Sequence, residues 1–172
     1  MAMFSLSSAQ VERYLISDEF NRFSIEVSKW LNVNDLFFGI EYREVEEKFP
    51  MKNSLAFIHF DNNYTKFCEI YFLTSRIANE AERLYPAYKN GRKKEEILKV
   101  FVDFLLIHEL THLAQFKRGC NEELKKHGKL NGKAYKSSWI EREANLKAYK
   151  YLRKRNEFTK NISFCIWRVF NK

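Results

Sequence analysis

Cysteine, glycine and proline are all scarce in this sequence. Its 172 residues include three cysteines, five glycines and two prolines. The cysteines Cys68, Cys120 and Cys165 contain no Cys-x-x-Cys pair, which argues against a disulfide framework and against a cysteine-based zinc ribbon. Reduced thiols in the cytoplasm are the simplest interpretation. A hydrophobic content of 45% argues against the disordered and collagen-like classes.

Long apolar segments are also lacking. The longest apolar run, residues 100–107, is interrupted by Asp103 and is far shorter than the roughly 20 residues of a membrane-spanning helix. The first ten residues lack the basic start and apolar core of a secretory signal. We therefore expect a cytoplasmic protein with no membrane partner. Its length predicts one domain, residues 1–172, with a core of its own.

Positive charge is in excess of negative charge. Thirty lysines and arginines stand against 22 aspartates and glutamates, for a formal net charge of +8. Such a surface favours polyanions or acidic partners at long range, so a nucleic-acid partner is one alternative. A lysine-rich solvated surface explains the same numbers without any partner, and we prefer that interpretation.

Hydrophobic periodicity predicts an α+β fold for the N-terminal part, residues 1–92. Apolar residues recur at helical spacing over residues 7–31, which predicts one or two helices. Three short segments rich in Phe, Ile and Tyr predict a small, mostly antiparallel sheet arranged as a meander. These segments are residues 36–45, 55–60 and 67–73, and a short helix is predicted after them over residues 75–84.

Two long helices are predicted for residues 93–155, followed by a tail. The predicted segments are a helix over 93–117 that stops at Gly119, a loop over 120–136, a helix over 139–155 and the tail, 156–172. The loop prediction rests on Gly128 and Gly132, which interrupt helical patterns. In the tail, Ile162, Phe164 and Ile166 alternate with polar neighbours, which predicts a strand or a docked extended segment.

The run His108-Glu109-Leu110-Thr111-His112 lies in the most apolar part of the first long helix. Two imidazoles four residues apart share one helix face, at the spacing needed to hold one tetrahedral metal ion. Glu109 can reach a water at that ion and accept its proton as a general base. Buried polar groups need partners, and a metal supplies one. The run therefore predicts a catalytic Zn²⁺ site, against the alternative of histidines satisfied in the core or at the surface.

A catalytic zinc needs a third protein ligand. His127 falls in the predicted loop and His59 on a predicted strand, whereas the following helix offers Glu141 and Glu143. The Glu141 face continues with small or apolar residues that permit close helix packing, namely Ala144, Asn145, Ala148 and Leu152. The Glu143 face carries several lysines, and Glu143 with Lys147 would make a surface pair. Glu141 is therefore the predicted third ligand, with Glu143 in reserve.

Glu141 also has a purely structural interpretation. The spacing Ser138-x-x-Glu141 matches a helix capping box. One carboxylate cannot serve both the cap and the metal, and we weigh the metal role higher because the histidine motif requires a third ligand.

The pairing of the histidine motif with Glu141-Arg142-Glu143-Ala144-Asn145, 29 residues beyond His112, resembles the gluzincin clan of HEXXH zinc metallopeptidases. That clan places a ligand glutamate on a second helix in a Glu-x-x-Ala or Glu-x-x-x-Asp setting. The small size is similar to the minigluzincins and to the metallopeptidase domain of ImmA/IrrE-type regulators. The resemblance covers residues 93–155. It implies a zincin-like domain in which His108, His112 and Glu141 hold Zn²⁺ and Glu109 is the base for hydrolysis of a peptide or protein substrate.

Several positions depart from those families. Asn145 stands where an aspartate often orients a ligand histidine, although an amide oxygen can still accept that hydrogen bond. Thr111 stands where the regulators usually have glycine. The group that stabilises the oxyanion is not assigned, and Tyr135 and Tyr149 are the candidates. The resemblance to minigluzincins also implies a tail that lies over the substrate groove and keeps the enzyme latent, whereas the simpler expectation is a tail that completes the core.

Two other functions remain alternatives. A zincin-fold regulatory or toxin-related factor would act on one dedicated protein partner and ignore general substrates. A basic nucleic-acid-associated protein would use zinc structurally, but two histidines and one glutamate leave an open position, which structural zinc sites usually do not.

Overall fold

The computed structural model describes residues 5–44, 54–60, 67–84, 91–130, 132–155 and 160–170. Within these ranges the chain is an α+β fold, as predicted, with eight helices and one three-stranded sheet. The elements are α1 (Ser8–Leu15), α2 (Asp18–Trp30), β1 (Phe37–Arg43), β2 (Ala56–Phe60), β3 (Phe67–Leu73), α3 (Thr74–Leu84), α4 (Gly91–Lys117), α5 (Asn121–His127), α6 (Gly132–Ser137), α7 (Trp139–Leu152) and α8 (Lys160–Phe170).

The three predicted strands are present, but the sheet is mixed and the predicted meander is wrong. Its order is β1-β3-β2, with β1 parallel and β2 antiparallel to β3. Ile70 and Phe72 of β3 are completely buried, so the most apolar strand takes the central position, while β1 is half-exposed at one edge. Residue 45, the predicted end of the first strand, lies outside the described residues.

Helix α4 runs through the centre of the domain. Every residue from 100 to 113 is buried, because helices and sheet cover it on all sides, as its nearly continuous apolar sequence predicts. It ends where predicted: Gly119 adopts a left-handed backbone conformation with φ of 87°, and the Cys120 N–H bonds back to the Gln115 carbonyl at 3.1 Å.

Helix α7 packs against α4 through the face that the sequence predicts. Ala144, Ala148 and Leu152 are completely buried, and Glu141 and Asn145 are at most 8% exposed on the same face. The two alanines let the helices approach closely, because they place almost no side chain between the backbones. This packing brings the start of α7 to the histidine motif on α4.

The predicted loop over residues 120–136 is wrong, because most of it is helical. Helix α5 has Glu122 and Glu123 in its first turn and basic residues in its last turn, a charge order that suits the helix dipole. Gly128 follows α5 and Gly132 opens α6. The glycines therefore mark the ends of two short helices, which the sequence interpretation mistook for one irregular segment.

The described part of the tail, residues 160–170, is also helical, so the predicted extended conformation is wrong there. Ile162 and Ile166, one turn apart on α8, are 7% and 0% exposed and belong to the main hydrophobic core. Phe164 is 59% exposed. The four-residue spacing of Ile162 and Ile166 thus also fits one helix face, and α8 contributes both residues to the core.

Among the described helices, none combines the length and the hydropathy required to cross a lipid bilayer.

Candidate metal centre

Helices α4 and α7 bring His108, His112 and Glu141 together in the interior. Their potential ligand atoms all lie within 4.8 Å of one another, and each residue is at most 5% exposed. The two Nε2 atoms are 3.3 Å apart. Glu141 Oε1 lies 3.2 Å from His108 Nε2, and Oε2 lies 3.7 Å from His112 Nε2. The predicted third ligand is therefore the carboxylate that meets both imidazoles.

The other nitrogen of each imidazole faces an amide oxygen. His108 Nδ1 is 3.1 Å from Asn145 Oδ1, and His112 Nδ1 is 2.8 Å from Gln115 Oε1. An amide oxygen only accepts hydrogen bonds, so both Nδ1 atoms carry a proton and donate. In its neutral form each imidazole therefore presents the Nε2 lone pair towards the cluster. Asn145 fills the orienting position that the sequence analysis gave it, while Gln115 was missed.

The cap on α7 uses the backbone of Glu141 and leaves its carboxylate free. Ser138 Oγ accepts a hydrogen bond from the Glu141 N–H at 3.3 Å. In a full capping box the Ser138 N–H would donate to the Glu141 side chain. Here it donates to the Tyr135 carbonyl instead, at 3.2 Å. The cap and the carboxylate cluster therefore coexist, which resolves the conflict between the two interpretations of Glu141.

Glu143 lies outside the cluster. Its close ion pair is with Arg118, whereas Lys147, the predicted partner, acts only as a more distant charge that lowers the pKa of Glu143. Both of its oxygens accept hydrogen bonds from the Arg118 guanidinium, at 2.8 and 2.6 Å. Its Oε2 also accepts one from Gln115 Nε2 at 3.1 Å. Glu143 is thus tied to the end of α4, and the reserve ligand of the sequence analysis is not placed to bind the same ion.

Glu109 lies beside the cluster under strand β2. It is 5% exposed, and its carboxylate accepts a hydrogen bond from the Ile58 N–H. Burial raises the pKa of Glu109 to about 7, against the opposing effect of a nearby His108 charge. A carboxylate with a pKa near neutrality is well matched to accept and return protons at neutral pH.

His127 and Tyr135 reach the cluster from α5 and α6. The imidazole of His127 is buried, stacks on the Tyr135 ring at 4.1 Å and places Nε2 3.3 Å from Glu141 Oε2. Neither of these two atoms makes a hydrogen bond. Burial, together with the Glu141 and Glu109 carboxylates, raises the pKa of Tyr135. His127 falls in the segment predicted as a loop, so the sequence alone does not favour it as a site residue.

The remaining candidates lie elsewhere. Tyr149 packs edge-on against Phe104, with ring centroids 5.1 Å apart, and this favours a packing role. His59 is exposed on β2 and is not part of the cluster.

The two motif histidines titrate in opposite directions. Burial alone would lower the pKa of His108, but the Glu141 carboxylate outweighs burial and raises it to about 9. Burial and the neighbouring His108 charge lower the pKa of His112 to about 4. Despite burial, His108 holds the pKa of Glu141 well below its usual range. The cluster therefore favours one positive charge between the imidazoles and the carboxylate, where a divalent cation can replace the proton.

Comparisons of the chain with protein-family models, with curated proteins and with solved structures find no match. The gluzincin resemblance therefore rests on the motif residues themselves.

Proposed function

We propose that the protein is a zinc-dependent metallopeptidase, with His108, His112 and Glu141 as metal ligands and Glu109 as general base. The observation that carries this proposal is the buried cluster of two Nε2 atoms and one carboxylate, with a second carboxylate next to it. The zincin-like fold and the hydrolase activity belong to the same proposal.

The residues of the cluster fit a metal ion. Two imidazole lone pairs that face each other at 3.3 Å repel unless a cation or proton lies between them. Glu141 Oε2 is buried and makes no hydrogen bond of good geometry, although His127 Nε2 lies 3.3 Å away, so a cation beside it would offset the cost of its burial. Two nitrogens and one carboxylate oxygen form a donor set that suits zinc, and three protein ligands leave one position open, as in catalytic sites.

The chain's own residues supply the acid–base chemistry. When bound, zinc provides Lewis-acid activation of a water molecule and of a carbonyl group. Glu109 removes a proton from the attacking water as its oxygen bonds to the carbonyl carbon. It then returns that proton to the amide nitrogen as the C–N bond breaks. The hydrogen bond from Ile58 holds the Glu109 carboxylate in place for both transfers.

His127 and Tyr135 support the proposal as donors to the oxygen that gains charge during the reaction. Ser138 Oγ already accepts the Glu141 N–H, and it lies 2.9 Å from His127 Nδ1. When its hydroxyl donates to that nitrogen, the imidazole proton is on Nε2, the atom that faces the cluster. Preorganised N–H and O–H donors of this kind stabilise a developing oxyanion.

The edge strand β2 supports an extended peptide as substrate. The Leu55 carbonyl accepts a hydrogen bond from the Leu73 N–H, whereas the Ile58 N–H points away from β3 towards Glu109. Backbone groups two residues apart in a strand point the same way, so Ala56 and Phe60 also direct theirs outward. An extended chain laid along this edge would add a strand to the sheet and bring its backbone to Glu109.

A regulatory factor that cleaves one dedicated partner is the second candidate. It is favoured by the burial of the cluster, because His108 and His112 are 3% and 4% exposed under α5 and α6. A substrate that could move this cover would be selected over general peptides.

The first prediction tests the proposal through metal content and activity together. We expect elemental analysis of the purified protein to find one zinc per chain, and no zinc in His112→Ala. A peptide-library digest with and without a chelator then separates the candidates, because chelator-sensitive cleavage of many peptides supports a general peptidase. Bound zinc without library cleavage supports the dedicated factor. A wild-type protein that takes up no zinc overturns both.

The second prediction concerns the oxyanion donors. We expect His127→Ala to lower kcat/KM by about 10²-fold, the usual effect of removing one such donor, with zinc content unchanged. Tyr149→Phe is the matched control, because this ring packs on Phe104, and its activity should equal wild type. Loss of zinc from His127→Ala would instead identify His127 as a ligand.

A further inference from the structure

Gln115 connects the metal centre to the surface of the protein. Its side chain is completely buried, three residues after His112 on α4. Its Oε1 lies 2.8 Å from His112 Nδ1. Its Nε2 donates to the Ile140 carbonyl at 2.9 Å and to Glu143 Oε2 at 3.1 Å. One amide thus contacts a ligand histidine on α4 and two acceptors on α7.

The two acceptors fix the orientation of the Gln115 amide. An amide rotated by 180° would point its oxygen at the Ile140 carbonyl and the Glu143 carboxylate, and both hydrogen bonds would become repulsive contacts. The observed orientation is therefore strongly preferred. It presents only an acceptor to His112, so Nδ1 must carry the imidazole proton and Nε2 must carry the lone pair.

Glu143 is held in turn by Arg118. The guanidinium of Arg118 donates to both Glu143 oxygens at 2.8 and 2.6 Å, and its side chain is half-exposed. Bidentate pairing fixes the plane of the carboxylate as well as its position. A continuous chain of hydrogen bonds therefore runs from a surface arginine through Glu143 and Gln115 to the protonated nitrogen of His112.

We propose that Gln115 is a positioning residue for His112, and that the Arg118–Glu143 pair fixes its orientation and thereby the histidine tautomer that can bind zinc. Only the zinc consequence rests on the proposed function, because the tautomer is a property of the metal-free chain. Groups that orient a ligand histidine typically change metal affinity by about 10- to 100-fold. Glu143 thus contributes to the site from outside the ligand set.

The tautomer can be measured directly. Nitrogen-15 NMR of the metal-free protein near neutral pH distinguishes Nδ1–H from Nε2–H imidazole. We expect wild-type His112 to be the Nδ1–H form, and Gln115→Leu and Glu143→Leu to populate Nε2–H. His108, which is oriented separately by Asn145, serves as the internal control, and its nitrogen-15 signals should be the same in both variants as in the wild type.

Zinc affinity gives the second readout, by competition with a chromophoric chelator. We expect weakening by about 10- to 100-fold in Gln115→Leu and about tenfold in Glu143→Leu. Glu143→Gln keeps an acceptor for Gln115, so its zinc affinity should be close to that of the wild type. The remaining loss should be about two- to fivefold, the usual contribution of a partly exposed ion pair. Arg142→Leu, an exposed neighbour on α7, is the matched control and should equal wild type.

The two measurements separate the positioning role of Gln115 from the proposed zinc site. An Nε2–H form of His112 in the wild type, or an unchanged tautomer and affinity in Gln115→Leu and Glu143→Leu, overturns the positioning role while leaving the zinc site intact. A wild-type protein that binds no zinc, yet shows the expected tautomer shifts, overturns the proposed function and supports the positioning role. The Glu143→Leu variant keeps the test decisive if Gln115→Leu does not fold.

Discussion

Replacing Glu109 by glutamine is expected to leave zinc bound while peptide hydrolysis falls by about 10²- to 10⁴-fold, the usual contribution of a general base. Glutamine has nearly the same shape, and its amide oxygen can still accept the hydrogen bond that Ile58 gives to Glu109. It cannot accept a proton from water. The three proposed ligands are untouched, so the loss should fall on kcat.

The measurement pairs steady-state hydrolysis of a cleaved peptide with zinc content and thermal stability of the same preparation. Glu123→Gln is the matched control, since Glu123 is exposed on α5, and it should behave as wild type. If Glu109→Gln loses its zinc, Glu109 is a ligand. If it keeps full activity, the base is another group.

The core of the site could be predicted from sequence because its signals are local. A spacing of four residues places His108 and His112 on one helix face whatever the rest of the chain does. Small residues following Glu141 at helical spacing predict a packed face, and the structure puts that face against α4. The prediction needed only helix geometry and the rule that close packing requires small side chains.

The groups around the ligands could not be predicted in the same way, because their roles depend on long-range packing. No sequence pattern indicates a role for Gln115. Its role depends on α7, which supplies the Ile140 carbonyl and Glu143 as acceptors. His127 becomes relevant only because α5 folds back towards Glu141, 14 residues later in the chain. Its glycine-flanked sequence suggested a loop, and tertiary packing overrode that local signal.

The wrong predictions for the sheet and for the tail also arise because long-range packing decides both. Strand pairing is decided by which strand can be covered on both sides, so the buried Ile70 and Phe72 of β3 place it between β1 and β2. Chain order alone suggested a meander. In the tail, the spacing of Ile162 and Ile166 fits period two as well as one helical turn. Only packing of both residues into the core distinguishes the helix from the strand.

Substitution of Glu141 by alanine is expected to weaken zinc binding far more than substitution of Glu143. A structural zinc site binds with roughly 10–16 kcal/mol from four ligands, so loss of one ligand should cost about 10²- to 10³-fold in affinity. Glu141 Oε1 faces His108 and Oε2 faces His112, the two other proposed ligands. Glu143 touches the site only through Gln115, and its alanine variant should lose about tenfold.

The two variants are best compared by chelator competition on protein that is shown to be folded. Both residues lie on α7, two positions apart, so a general weakening of that helix would affect them alike. Ser138 caps the helix through the Glu141 backbone N–H, and alanine keeps this bond. A large loss confined to Glu141→Ala therefore reports on the carboxylate itself. The reverse ranking, with zinc stripped by Glu143→Ala alone, would mean that Glu141 serves the histidines only as a hydrogen-bond acceptor.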